Sequence, residues 1–94
     1  MINKKKLKNA RNKIDQLDRN IFNLIKQRTK IVSYILSLKK YKKQIIDKKR
    51  NNEILMNIKK KSIKEGVDPK ITTHIWRSMI WSYVNFQKRN FKKK

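Results

Sequence analysis

Arg28 stands where an apolar residue belongs. Leu7, Ala10, Ile14, Leu17, Ile21 and Leu24 precede it, and Ile31, Ile35 and Leu38 follow, in an alternating three-and-four spacing that reads as one continuous helical seam. Burying an unpaired guanidinium in such a seam is expensive, so something anionic should meet it. An ion pair with Asp15 or Asp18 of a neighbouring helix is one candidate, and an anionic ligand is the other. Arg11 and Lys39 lie at the edge of the same seam, four heptads apart. Along one helix they are too distant to share a ligand, unless an antiparallel, intertwined dimer or a returning helix brings them together. Further on, Asp47, Arg50 and Asn51 stand at i, i+3 and i+4, on one helical face. Trp76, Ile80, Tyr83 and Gln87 form a comparable stripe near the end of the chain. Trp76 and Tyr83 read most simply as core, but the Gln87 carboxamide needs hydrogen-bonding partners if it is buried.

The chemistry left by elimination is narrow. The chain has no cysteine and a single histidine, His74, which reads as surface. It carries no Ser/His/Asp set, no paired carboxylates, no metal-ligand spacing and no glycine-rich phosphate loop, so neither a metal nor a cofactor is expected. A cation-rich pocket without a general base suits a reaction driven by positioning and charge stabilisation.

The formal charge of +22, from 28 Lys and Arg against 6 Asp and Glu, ordinarily points to nucleic acid or an anionic membrane. Here it is discounted. Lys, Ile and Asn supply roughly half of the residues, and all three have codons made of A and T alone, so base-composition bias yields the same basicity. The lysines are spread along the chain, with local clusters at Lys4 to Lys6, Lys59 to Lys61 and Lys92 to Lys94. Nucleic acid is therefore disfavoured as a partner, and a membrane is not expected, because no segment approaches the roughly 20 apolar residues of a span. The basic start is followed by no apolar stretch of signal-peptide type, and a soluble cytoplasmic protein is the expectation.

The elements that must position these residues are long helices, because one glycine and one proline leave few places to turn. The spacing predicts an all-α single domain over 1–94, with helices at about 4–40, 47–65 and 69–90 and a basic tail at 91–94. The first would be roughly 55 Å long at 1.5 Å per residue, too long for a small globule to cover, so a second chain is expected to pack on it. Tyr41 to Ile46 breaks the heptad. Asp47 suits the first turn of the second helix, whose apolar positions are Ile54, Leu55, Ile58 and Ile63. Gly66 should end it, and Asp68-Pro69 should start the third helix as N-cap and first helical residue. That helix carries Ile75, Trp76, Met79, Ile80, Tyr83 and Phe86.

The segment Leu7 to Arg28, LKNARNKIDQLDRNIFNLIKQR, closely resembles the opening helix of the all-helical chorismate mutases. The pattern of Arg, two residues, Ile-Asp, one residue and Leu-Asp, then apolar pairs leading to a second Arg, falls on Arg11, Ile14-Asp15, Leu17-Asp18 and Arg28. Lys39, Asp47, Arg50, the Gly66-Val67-Asp68-Pro69 turn and Gln87 also fit, so the resemblance runs from Leu7 to Gln87. It implies an intertwined helical homodimer in which Arg11 completes the partner's site. Arg11 and Arg28 would hold the carboxylates of dianionic chorismate, and Lys39 and Gln87 would hydrogen-bond the ether oxygen as the C–O bond breaks. Asp47, Arg50, Asn51 and Tyr83 would complete the substrate-binding set, with Arg28, Lys39 and Gln87 as the catalytic residues.

Two positions depart from that pattern. Asn51 replaces a glutamate that accepts from the substrate hydroxyl, and Tyr83 replaces a small residue. Both resemble the isochorismate-pyruvate lyase branch, which forms salicylate and pyruvate from isochorismate, whereas Asp47 follows the mutases. The expectation is a chorismate mutase forming prephenate for aromatic amino-acid biosynthesis, with the lyase as alternative. A basic helical nucleic-acid-binding dimer and a catalytically dead regulatory member are the remaining rivals.

Overall fold

The computed structural model describes residues 3–92. Among them, regular structure is entirely helical: α1 (Lys4–Ser37), a 3-10 turn (Lys42–Gln44), α2 (Lys48–Glu65) and α3 (Pro69–Asn90). The chain divides into two compact units, Met1–Ile31 and Val32–Lys94.

The first unit is the greater part of α1. Asn3 caps it, its side-chain oxygen accepting from the Lys6 N–H at 3.1 Å while its carbonyl accepts from the Leu7 N–H at 3.0 Å. Ile14, Leu17, Ile21 and Leu24 each leave more than half of their surface exposed, so within this unit the apolar stripe has no cover. Arg28, at the end of that stripe, is half-buried and has an interaction partner.

The second unit holds the core. Leu36, Ile45 and Val84 form the buried cluster, and Phe91 packs against it, with Ile80 also buried. α2 and α3 pack on each other. Two hydroxyls join them: Ser62 is buried, bonded to Thr72 Oγ1 at 2.6 Å and to the Ile58 carbonyl at 2.6 Å, while Ile63 beside it, expected among the apolar positions of α2, faces solvent.

Helix ends follow local chemistry where that chemistry is distinctive. Gly66 ends α2 in the left-handed region at φ 72°, and the Val67 N–H returns to the Ser62 carbonyl at 2.9 Å. Asp68 then caps α3 through the Lys70 N–H at 2.9 Å, with Pro69 in the first turn. Asp47 lies just outside α2 as its N-cap, accepting from the Arg50 N–H at 3.0 Å.

Two expected boundaries shift. α1 ends at Ser37 rather than near Lys40, because the Leu38 and Lys39 N–H groups bond three residues back, to the Ile35 and Leu36 carbonyls, and tighten the last turn out of helix. Lys39 therefore lies beyond the seam it was assigned to. The basic tail loses Phe91 to the core, Lys92 is exposed, and residues 93 and 94 lie outside the described residues.

Candidate active site

Gln87 sits on α3 one helical turn after Tyr83, and only 8% of its surface is exposed. A carboxamide in that position must be satisfied on both ends. Its Oε1 accepts from Lys39 Nζ at 2.8 Å, and its Nε2 donates to the Tyr83 carbonyl at 3.2 Å. The two partners fix the amide's orientation, since a flipped group would set NH2 against an ammonium and oxygen against a carbonyl. The contact spans 48 residues of sequence. It exists because α1 stops at Ser37, which releases Lys39 into the connection to the 3-10 turn, where its side chain reaches α3.

The unspent donors matter more than the bonds already made. Lys39 has three N–H groups and Gln87 two, so after their mutual bond and the one to Tyr83, two ammonium protons and one amide proton remain. A half-buried cation and a buried amide thus lie in contact, each with N–H capacity left over. Burial pushes the Lys39 ammonium below the ordinary lysine range, and the carboxylate of Asp47 partly offsets this.

Asp47 and Lys39 line the same hollow, of about 710 Å³, together with Gln44, Ile46 and Lys48. Gln44 had no role in the sequence reading. Its Oε1 accepts from the Lys40 and Tyr41 N–H groups, each at 2.8 Å, and so sets the backbone from which Lys39 projects. A glutamine three residues after the cap position is the capping-box spacing, with Tyr41 in place of the usual Ser or Thr.

Of the other expected site residues, Arg50 follows Asp47 into the first turn of α2 and lies 3.9 Å from Glu53 in an exposed ion pair. Asn51 is half-buried in that turn, and Tyr83 is half-buried on α3, its ring edge-on to Phe86 at 6.3 Å. Thus Lys39, Gln87, Tyr83 and Asp47 are associated within the second unit. Arg11 is exposed and Arg28 half-buried in the first.

The family model for chorismate mutase type II matches residues 10–88, a range that takes in every site residue from Arg11 to Gln87. The chain belongs to the chorismate mutase type II family. No curated protein and no solved structure matches it. Family membership makes this chain a chorismate mutase, an isomerase, and the helical architecture around Gln87 agrees with that class. No metal-binding group of His, Cys, Asp or Glu occurs among the described residues, nor is any helix there long and apolar enough to cross a membrane.

Proposed function

We propose that this chorismate mutase acts as a cytoplasmic homodimer, converting chorismate to prephenate on the route to phenylalanine and tyrosine. The observation that supports the mechanism is the 2.8 Å bond between Lys39 and Gln87, which holds together two groups that each have N–H protons to spare. In the rearrangement the ether C–O bond breaks as a new C–C bond forms, and the departing oxygen gains negative charge in the transition state. An ammonium and an amide N–H aimed at that oxygen bind the transition state more tightly than the ground state. No covalent intermediate or proton transfer is required. Removal of one such donor costs about 10²- to 10³-fold in kcat in comparable sites.

The assignment of the carboxylates to Arg28 and to Arg11 of the partner subunit rests on the resemblance of the first helix. A guanidinium in an apolar seam supports it. Asp47 caps α2 and moderates the charge beside Lys39, so its role is to position Arg50 and Asn51 on the first turn.

Asn51 and Tyr83 favour a second reading, isochorismate-pyruvate lyase. An asparagine accepts from a substrate hydroxyl more weakly than a carboxylate. Incubation of the purified protein separately with chorismate and isochorismate, following prephenate against salicylate and pyruvate, decides between the two. Prephenate formation is expected, and release of pyruvate from isochorismate without prephenate would replace the first reading by the second. For a mutase, Asn51→Glu should raise kcat/KM for chorismate, with about 10- to 100-fold as the ceiling for one charge-assisted hydrogen bond.

A further inference from the structure

A hollow of about 410 Å³ opens where the 3-10 turn meets the end of α3, sharing Lys40, Tyr41 and Phe91 with a larger hollow of about 970 Å³ that reaches Lys39. Lys40, Tyr41, Lys42, Lys88 and Phe91 line the smaller one. None of these residues belongs to the proposed catalytic set, and three lysines and two aromatic residues make up the lining. No carboxylate lines it. The stretches that build it carry none either, since 19–46 and 69–94 contain neither Asp nor Glu.

Its walls are held in place. Gln44 ties the Lys40 and Tyr41 N–H groups, the Gln44 and Ile45 N–H groups return to the Tyr41 and Lys42 carbonyls at 3.0 and 3.1 Å, and Ile45 anchors the turn in the core. Phe91 is packed against that same core. Tyr41 is 61% exposed, and the ammonium of Lys43 stands 5.7 Å from its ring centroid.

We propose that this hollow is a second ligand site, for a small molecule that joins a planar ring to an oxyanion. The lysines supply long-range attraction and charge-assisted hydrogen bonds to the oxyanion, and Tyr41 and Phe91 supply ring contact. The volume lies within the range of small-molecule sites.

Titration of the isotope-labelled full chain with phenyl phosphate, read by amide NMR shifts, tests this, with inorganic phosphate and phenol as half-ligand controls. Saturable shifts confined to residues 40–44 and 88–92 are expected, with a dissociation constant on the order of 1 mM. Each half-ligand should bind several-fold more weakly. Tyr41→Ala should weaken phenyl phosphate about 3- to 10-fold and Lys88→Gln about 2- to 5-fold, with chorismate turnover unchanged. A parallel titration with phenylacetate separates the oxyanions: binding of either compound supports the site and tells whether phosphate or carboxylate is preferred. Shifts centred on Lys39 and Gln87, or scattered over lysines of all three helices, would overturn the proposal. So would equal binding of inorganic phosphate, or an unchanged affinity in a Tyr41→Ala protein with native thermal unfolding.

Discussion

Gln87 carries no charge at any working pH, so in the proposed mechanism the proton it would offer the ether oxygen does not depend on titration. A carboxylate in its place would pair with Lys39 and have no proton to give, and only the protonated acid would restore a donor. Gln87→Glu should therefore lose about 10²-fold in kcat at neutral pH and recover as pH falls through the carboxyl's range, whereas the parent should be flat there. A kcat profile measured from pH 4 to 9 checks this, and parallel profiles would remove Gln87 from contact with substrate. Lys39 sets the opposite limb. Its ammonium loses its proton more readily than an ordinary lysine because burial disfavours the charge, so kcat/KM should fall as pH rises, with a midpoint below the usual lysine value. Lys39→Arg should carry that limb out of the accessible range, since a guanidinium stays protonated. Both residues were legible in the sequence as oddities, a carboxamide on an apolar stripe and a lysine at a seam's edge. Their bond to each other was not, because it depends on where α1 stops, and neither Gly nor Pro marks that point.

The helix boundaries divide according to how local their causes are. Gly66, Asp68-Pro69 and Asp47 act within three residues, through left-handed backbone, a fixed φ and a side-chain cap, and each is readable from residue type alone. The end of α1 comes from three-residue hydrogen bonds at Leu38 and Lys39 and from a Gln44 cap that works with an atypical Tyr41, so the seam overran it. The core was displaced for a related reason. Heptad reading favoured Ile35 and Leu38, both largely exposed, over Leu36, which the turn to Ile45 draws inward together with Val84. The Gly66 end allows a clean test of backbone strain. A Cβ built there meets nothing within 4 Å, so Gly66→Ala adds no clash and costs only the left-handed conformation at φ 72°. Stability should drop by about 1–2 kcal/mol in urea unfolding with an unchanged m-value, and Gly66→Asn should lose less. Equal stability of all three would mean that the turn relaxes to another conformation.

At the scale of the whole molecule, the unmet requirement is cover for α1. Its 34 residues span about 50 Å, and the stripe through Ile14, Leu17, Ile21 and Leu24 is exposed within its own unit. Burial of apolar area contributes roughly 25 cal/mol per Å², so a second copy laid along this stripe would add the stability that so small a chain lacks. The expectation of a partner comes from helix length in the sequence. The partner's orientation is not legible there, since heptad spacing serves parallel and antiparallel pairs alike. Only the resemblance of Arg11 and Arg28 to the mutase pattern points to an intertwined dimer with Arg11 acting across it. Complementation separates the possibilities. Arg28→Ala should abolish turnover yet leave the dimer folded, because it deletes a cation from an apolar seam, and Arg11→Ala should also be inactive. When the two inactive chains are unfolded together and refolded in equal amounts, half of the dimers are mixed. If Arg11 serves the partner, each mixed dimer holds one site with both arginines and one with neither, and about a quarter of the parent rate per chain should return. If Arg11 serves its own chain, every site in the mixed dimer lacks one arginine and no activity returns. Mass spectrometry of the intact assembly verifies that mixed dimers have formed, so a null rate in their presence counts directly against the intertwined arrangement.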